Sequence, residues 1–321
     1  MKIKLRKLGG REQWITPIGL GAQTIGGLGY GDQDQQHSPS IVEAYLKGGG
    51  RLIDVARGYG TSEIHVGNAI KACHLEEEVF LCSKTGSLHP PVAASDLDVS
   101  RFCLQRDWID LYYVHVPSRD PLQHNRILDT FQSFKERGLI RFTGLSCRNV
   151  NDPAHRDEVL GWIQDPRVDV IQIPCNPSHP PEVLDLIAEA ADHGIGVICR
   201  GTVQGGLFNE SFCPEQTFED RENDWKAQVE PADMQQALHI VRDVAEELRQ
   251  EPYQTLAQLT QSWTLNQAGV SAIIGGAGSL SEVNDLLAVA EMLPPDQHTS
   301  TRLREKMAPI QALIKRLRKE G

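Results

Sequence analysis

Eight short apolar runs, at positions 17–20, 52–55, 79–83, 109–115, 141–146, 168–174, 196–200 and 272–275, alternate with segments of helical periodicity along the 321 residues. Each run is apolar nearly throughout instead of alternating with polar residues. That composition suits strands covered on both faces, as in a parallel sheet wrapped by its crossover helices. The intervening helices are expected at 38–47, with serine near its start as cap, then 62–72, 94–104, 127–137, 157–164, 181–193, 234–250, 255–266 and 281–291. In 62–72, Ile64, Val66, Ala69 and Ile70 are the residues offered for burial.

Eight βα units close most economically into a (β/α)8 TIM barrel, an α/β fold. The rival is a doubly wound sheet. It is weakened because neither the glycine-rich loop GAQTIGGLGYG nor GGAG at 275–278 has the G-x-G-x-x-G spacing, and no G-x-x-x-x-G-K-[ST] is present. Outside the repeat, the first 16 residues read as a β-hairpin turning at Gly9-Gly10. A polar insertion covers about 209–232, and an extra C-terminal helix is expected at about 301–319. The whole of 1–321 reads as one domain.

Composition narrows the partners. A formal charge of -11 and a pI near 5.5 argue against nucleic acid or an anionic membrane as main partner. Seven cysteines without a C-x-x-C pair point to reduced thiols, no metal site and the cytoplasm. No apolar run approaches the roughly 18 residues of a spanning helix.

In a barrel the strand ends converge on one face, and active sites are built there. Asp54 ends the second run, Lys84 follows the third and His115 ends the fourth, while Tyr59 lies in a turn between Gly58 and Gly60. A strand-end carboxylate needs a cation, and Lys84 supplies one. A free phenol has a pKa near 10, too high for efficient proton donation near neutrality. An ammonium about 4 Å away, at an effective dielectric of about 20, is worth roughly 4 kcal/mol in favour of the phenolate. The four groups therefore suit proton donation by Tyr59, with His115 orienting a carbonyl oxygen or relaying a proton. Glu63, at a helix start with Thr61 and Ser62, is expected to satisfy free N–H groups there, a structural role.

The segments LIDVARGYGTSEIHVGNAI, LCSKTG, DWIDLYYVHVP, KERGLIRFTGLS, VDVIQIPCN, GIGVICRGTVQGGLF and AIIGGAGSLSEVNDLL follow one another over nearly the whole chain. Together they resemble the aldo-keto reductase family. The resemblance implies a barrel whose base is covered by the hairpin, with an extended nicotinamide cofactor across the strand ends. It makes Asp54, Tyr59, Lys84 and His115 a catalytic tetrad, with Tyr59 as general acid in carbonyl reduction. Ser146 and Gln172 match the positions that hold the nicotinamide carboxamide, although the asparagine usual after that serine is Cys147 here. Arg200 stands where many members place a tyrosine against the nicotinamide ring. Gln204, Gly206 and Leu207 belong to the loop near the pyrophosphate.

In the eighth segment Gly276, Gly278, Ser279 and Glu282 are the expected cofactor contacts. The usual basic residue, glutamine and asparagine are replaced there by Gly278, Glu282 and Leu286. NADP(H) is the family default, but these replacements weaken a 2′-phosphate site and make NAD(H) a serious alternative. Gln23, Tyr30 and the stretch from Phe218 to Trp225 lie in the loops that would select a small carbonyl or alcohol substrate. The expected function is hydride transfer between the cofactor and an aldehyde, ketone or sugar. A slow nucleotide-binding regulatory or sensor protein is the alternative, and a Schiff-base enzyme using Lys84 is a third reading.

Overall fold

The computed structural model describes residues 3–27, 38–115, 117, 120–148, 150–209 and 225–316. Two short antiparallel strands, β1 (Arg6–Lys7) and β2 (Trp14–Ile15), form the hairpin. Eight parallel strands then close into a barrel: β3 (Ile18–Gly21), β4 (Leu52–Asp54), β5 (Phe80–Thr85), β6 (Ile109–His115), β7 (Ile140–Ser146), β8 (Val170–Pro174), β9 (Gly196–Arg200) and β10 (Val270–Gly276). The helices are α1 (Ser38–Lys47), α2 (Ser62–Ala72), α3 (Pro90–Leu104), α4 (Pro121–Glu136), α5 (Pro153–Ile163), α6 (Glu182–Asp192), α7 (Pro231–Leu248), α8 (Leu256–Leu265), α9 (Leu280–Val289), α10 (Gln297–Met307) and α11 (Ile310–Leu313). The expected (β/α)8 architecture is therefore present.

Two cores result from the two-residue period of a strand. One set of side chains, including Ile53, Leu81, Tyr112, Leu145 and Ile171, points outward into the layer under the helices. The other, including Leu52, Cys82, Leu111, Tyr113, Val170, Ile198 and Ile274, fills the barrel, and Leu8 and Ile15 of the hairpin join it from below. The hairpin is tied to that end by Gly10 N donating to Gly194 O at 2.9 Å and Gly9 N to Ser271 Oγ at 3.1 Å. Small residues make room for large ones inside. A Cβ on Gly144 would lie 2.3 Å from the Tyr113 ring, so only glycine fits beside that side chain.

Several helix boundaries differ from expectation. Helices α3, α4 and α5 begin at Pro90, Pro121 and Pro153, earlier than their apolar pattern suggests. Proline's missing N–H costs nothing in the first turn. Asp120 and Asp152 confirm those starts by accepting from Leu122 N at 2.9 Å and Ala154 N at 3.1 Å. The C-terminal segment is not one helix from 301. It starts at Gln297 behind the Asp296 cap, and is interrupted at Ala308-Pro309, because proline cannot continue the hydrogen-bond ladder. Ile64 is 46% exposed, so the buried face of α2 is carried by Val66, Ala69 and Ile70 without it. The serine cap of α1 lies outside the described side chains, as does most of the polar insertion. Of the insertion's described part, Trp225–Gln228 is a 3-10 turn, and Pro231 already opens α7.

Candidate active site

One inward-facing residue near the C-terminal end of each barrel strand contributes to a ring: Gly21, Asp54, Lys84, His115, Ser146, Gln172, Arg200 and Gly276. Their register follows from the ladder, with Gly21 opposite Asp54, His115 opposite Ser146, and Ser146 opposite Gln172. Lys84 is the penultimate residue of β5, and Thr85 after it faces outward to accept no part in the ring; its hydroxyl donates to Asp96 at 2.6 Å.

Lys84 is 1% exposed and Asp54 4%. Its Nζ donates to Asp54 Oδ1, to Val55 O at 2.9 Å and to Tyr59 Oη at 3.4 Å. A primary ammonium has three protons, so each has an acceptor. Burial by itself would push the Lys84 ammonium down, but the Asp54 carboxylate and Tyr59 outweigh it, and the group is held above its ordinary value. Because Tyr59 Oη accepts from Lys84, its own O–H remains free to donate into the cleft.

Tyr59 is held by its turn. Its N donates to Ala56 O at 3.0 Å, Ser62 N donates to Tyr59 O at 3.1 Å, and Arg57 N reaches Lys84 O at 3.2 Å. Glu63 supports the same turn, though differently from expectation. Its carboxylate leaves the helix start and pairs with the Arg57 guanidinium, while Ser83 Oγ donates to it at 2.7 Å. On the other side Gly26 packs so closely that a Cβ there would fall 1.6 Å from Tyr59 O.

His115 stands edge-on to Tyr59, with ring centroids 6.0 Å apart. Burial, followed by the charges of Lys84, Arg148 and Arg200, pulls its imidazole down to about 3. It is neutral near pH 7, which suits orienting an oxygen through an N–H and disfavours relaying a proton through the imidazolium.

Ser146 and Gln172 are 1% and 0% exposed. Ser146 Oγ donates to Gln172 Oε1 at 2.9 Å, and Gln172 Nε2 donates to Asp54 Oδ2 at 2.8 Å. The pair expected to hold a carboxamide therefore lies beneath the cleft floor and fixes the second oxygen of Asp54. Arg200 crosses above the strand end of β7, its Nη2 donating to Cys147 O at 2.9 Å. Among the described residues Arg200 makes no ion pair.

From Tyr59 and Arg200 a cleft of about 570 Å³ extends past Gln23, Gln204, Gly206 and Trp225 to Gly276, Gly278, Glu282 and Asp285. Three successive residues, Gln204, Gly205 and Gly206, have φ of +48°, +57° and +83°. The N–H groups of Gly205 and Gly206 have no acceptor among the described residues, and a Cβ on Gly206 would meet open space. A turn of this kind presents N–H groups to an anion. Lys226, which the sequence does not single out within its polar stretch, is 2% exposed, lines the same cleft and donates to Gly205 O at 3.2 Å. Leu207, expected in the same loop, buries its side chain in the outer core while its N donates to Gln204 O at 3.1 Å.

At the far end Ser279 caps α9, accepting from Glu282 N at 3.2 Å. Glu282 accepts from Gly278 N at 2.6 Å and from Asn209 Nδ2 at 2.9 Å, joining both walls of the cleft. Asp285 lines the cleft beside it, and burial, aided by the Glu282 charge, raises the Asp285 carboxyl. Tyr30 and Phe218 lie outside the described residues.

The Gly205-Gly206 turn, Arg200, Lys226 and the glycines Gly21, Gly276 and Gly278 thus line one continuous cleft. A sequence profile described as "Aldo/keto reductase family" matches residues 17–307. Aldo-keto reductase YhdN of Bacillus subtilis is 29% identical over 290 residues, 84% of each chain. L-galactose dehydrogenase of Arabidopsis thaliana is 24% identical over 327 residues, 97% of each. Among solved structures, the holo form of aldo-keto reductase AKR11C1 from Bacillus halodurans superposes with a TM-score of 0.73 at 21% identity, covering 96% of both chains. An aldo/keto reductase from Klebsiella pneumoniae in complex with NADP and acetate gives 0.68 at 22%, again with 96% of both covered. The span of the profile match, over the barrel whose strand ends carry this ring of side chains, establishes that the chain belongs to the aldo/keto reductase family.

Proposed function

We propose that the protein is a nicotinamide-dependent oxidoreductase that interconverts the carbonyl of an aldehyde, ketone or sugar with its alcohol. The observation that carries this is the saturated Lys84 ammonium, fixed by Asp54 and aimed at Tyr59 Oη. Tyr59 donates its proton to the carbonyl oxygen, and Lys84 stabilises the phenolate left behind. Neutral His115 fixes that oxygen from the side. Ser146 and Gln172 keep Asp54 from turning away. When bound, the cofactor would supply the hydride; Arg200, Lys226 and the Gly205-Gly206 turn would hold it, and Gly276 to Glu282 would receive its adenosine half. The saturated, protonated state of Lys84 is unsuited to a Schiff base, which needs a free amine.

A carbonyl panel assayed by cofactor oxidation tests this reading. A cofactor that co-purifies yet is oxidised by no aldehyde, ketone or sugar would favour the regulatory alternative.

The acidic adenosine end points to NADH as at least the equal of NADPH. Glu282 and Asp285 line it, and a 2′-phosphate would meet Glu282 while an unphosphorylated ribose hydroxyl can donate to it. In parallel titrations NADH should bind at least as tightly as NADPH, and Glu282→Gln should tighten NADPH about tenfold, the equivalent of roughly 1.4 kcal/mol. A wild-type preference for NADPH that Glu282→Gln leaves unchanged would overturn this.

A second expectation concerns the Tyr59 turn. Since a Cβ at position 26 would overlap Tyr59 O, Gly26→Ala must displace the turn. An error of about 1 Å in a reacting group can cost about a hundredfold. We expect kcat/KM to fall by that order while thermal unfolding shifts only slightly; unchanged kinetics would show that the turn adapts freely.

A further inference from the structure

A second and larger cleft, of about 1000 Å³, lies outside the strand-end site, between the loop following β8 and the C-terminal helices. One wall is stiff, carrying Pro180, Pro181, Pro294 and Pro295. The other is a polar stripe: Thr301, Arg304, Ala308, Gln311 and Lys315 are spaced by three or four residues, so they share one face of α10, α11 and the turn after it, and all line the cleft.

The basic residues of that segment divide by direction. Those turned elsewhere are paired, Arg302 and Lys306 with Glu247 and Arg316 with Asp233. Arg304 and Lys315, which face the cleft, make no ion pair among the described residues. An exposed lysine alone would mean little. Two cations without an ion pair on one wall of a cavity, with their neighbouring cations among the described residues satisfied, mean more.

Buried atoms add a second, independent sign. His179 is 8% exposed and borders this cleft as well as the strand-end one, yet its Nδ1 is buried without a partner. Asn151 Oδ1, also at the cleft, is in the same condition, although Asn151 Nδ2 donates to Gln311 Oε1 at 2.8 Å. Burying such atoms without partners is unfavourable, and both residues lie at the cleft wall. Burial pulls the His179 imidazole down to about 4; the Asn176 carbonyl opposes this, and the charges of Arg200 and Lys315 add to it, so the surrounding potential is positive.

The donor set defines the ligand. Arg304 and Lys315 call for a carboxylate or phosphate, whereas Asn151 Oδ1 and the Glu305 carboxylate accept from hydroxyls. We propose that this cleft is a binding site for a polyhydroxylated organic anion, a sugar acid or a sugar phosphate. The site is connected to the strand-end cleft, because Gln311 Nε2 donates both to Ser178 Oγ at 2.8 Å and to Gln204 Oε1 at 3.0 Å. Gln311 and Lys315 lie beyond the 17–307 span of the family match.

The test is calorimetric titration of the full chain, saturated with its nicotinamide cofactor, with gluconate, glucose 6-phosphate and glucose. At least one of the two anions should bind saturably, with glucose about tenfold weaker or worse. The double variant Arg304→Ala/Lys315→Ala should weaken the anion at least about tenfold with an unchanged melting temperature, since neither side chain is buried in the core. If gluconate binds and glucose 6-phosphate does not, the site is for sugar acids; the reverse assigns it to sugar phosphates. No saturable binding of either anion, equal binding of glucose, or a double variant that binds as the wild type does would overturn the proposal. None of these outcomes depends on turnover, so failure of the oxidoreductase reading would be seen separately in the carbonyl panel.

Discussion

Replacing Tyr59 by phenylalanine should lower kcat by about 10²–10⁴-fold, the usual worth of a positioned general acid, while leaving cofactor affinity and the melting temperature nearly unchanged. The reasons are local. Tyr59 is half-buried at the mouth of the cleft, and its hydroxyl makes one hydrogen bond among the described residues, accepting from Lys84 Nζ at 3.4 Å. Phenylalanine keeps the ring that stands edge-on to His115 and beneath Lys84, whose Nζ lies 4.8 Å from the ring centroid. Only the proton and its oxygen are removed. Steady-state kinetics and a cofactor titration on the same preparation check this. Equal losses in kcat and in cofactor affinity would make the tyrosine a structural element of the cleft, not its acid.

The pairing of Asp54 with Lys84 was legible in the sequence because it follows from strand parity. Once strands 52–55 and 79–83 are recognised, a carboxylate and an ammonium arrive at the same end of adjacent strands, and burial requires them to meet. Less legible were contacts that depend on which partner a polar side chain selects. Gln172 is legible as a strand-end residue, but not the link its amide makes between Ser146 and Asp54. Glu63 looks like a helix-start carboxylate, but a nearby guanidinium attracts it more strongly than backbone N–H groups do. Lys226 gave no signal, since a lysine in a polar stretch usually faces solvent, and only the fold turns it inward against Gly205. The starts of α3, α4 and α5 are hard to read for one reason: proline ends a helix when inside it and favours one when at its first turn, and the choice depends on the cap that precedes it.

Lys84→Met should be damaging in two separable ways. Methionine fills much of the volume but removes the cation from a carboxylate that is 4% exposed, and breaking a buried pair from one side costs about 3–5 kcal/mol. Denaturant unfolding should show that loss, and turnover should fall together with it because Tyr59 loses the charge that stabilises its phenolate. The double variant Asp54→Leu/Lys84→Met separates the two effects. With no charge left unpaired, most of the stability should return, while activity stays as low as in Lys84→Met. A pH signature accompanies this. The folded Lys84 ammonium is held above its ordinary 10.5, so its contribution is complete below the unfolded value and disappears as pH rises through the higher folded one. The stability difference between wild type and the double variant should therefore shift against the wild type above pH 10.5 and be flat below it, through neutrality. Recovery of activity in the double variant would show that the buried pair serves the fold alone, and that Tyr59 donates its proton without help from Lys84.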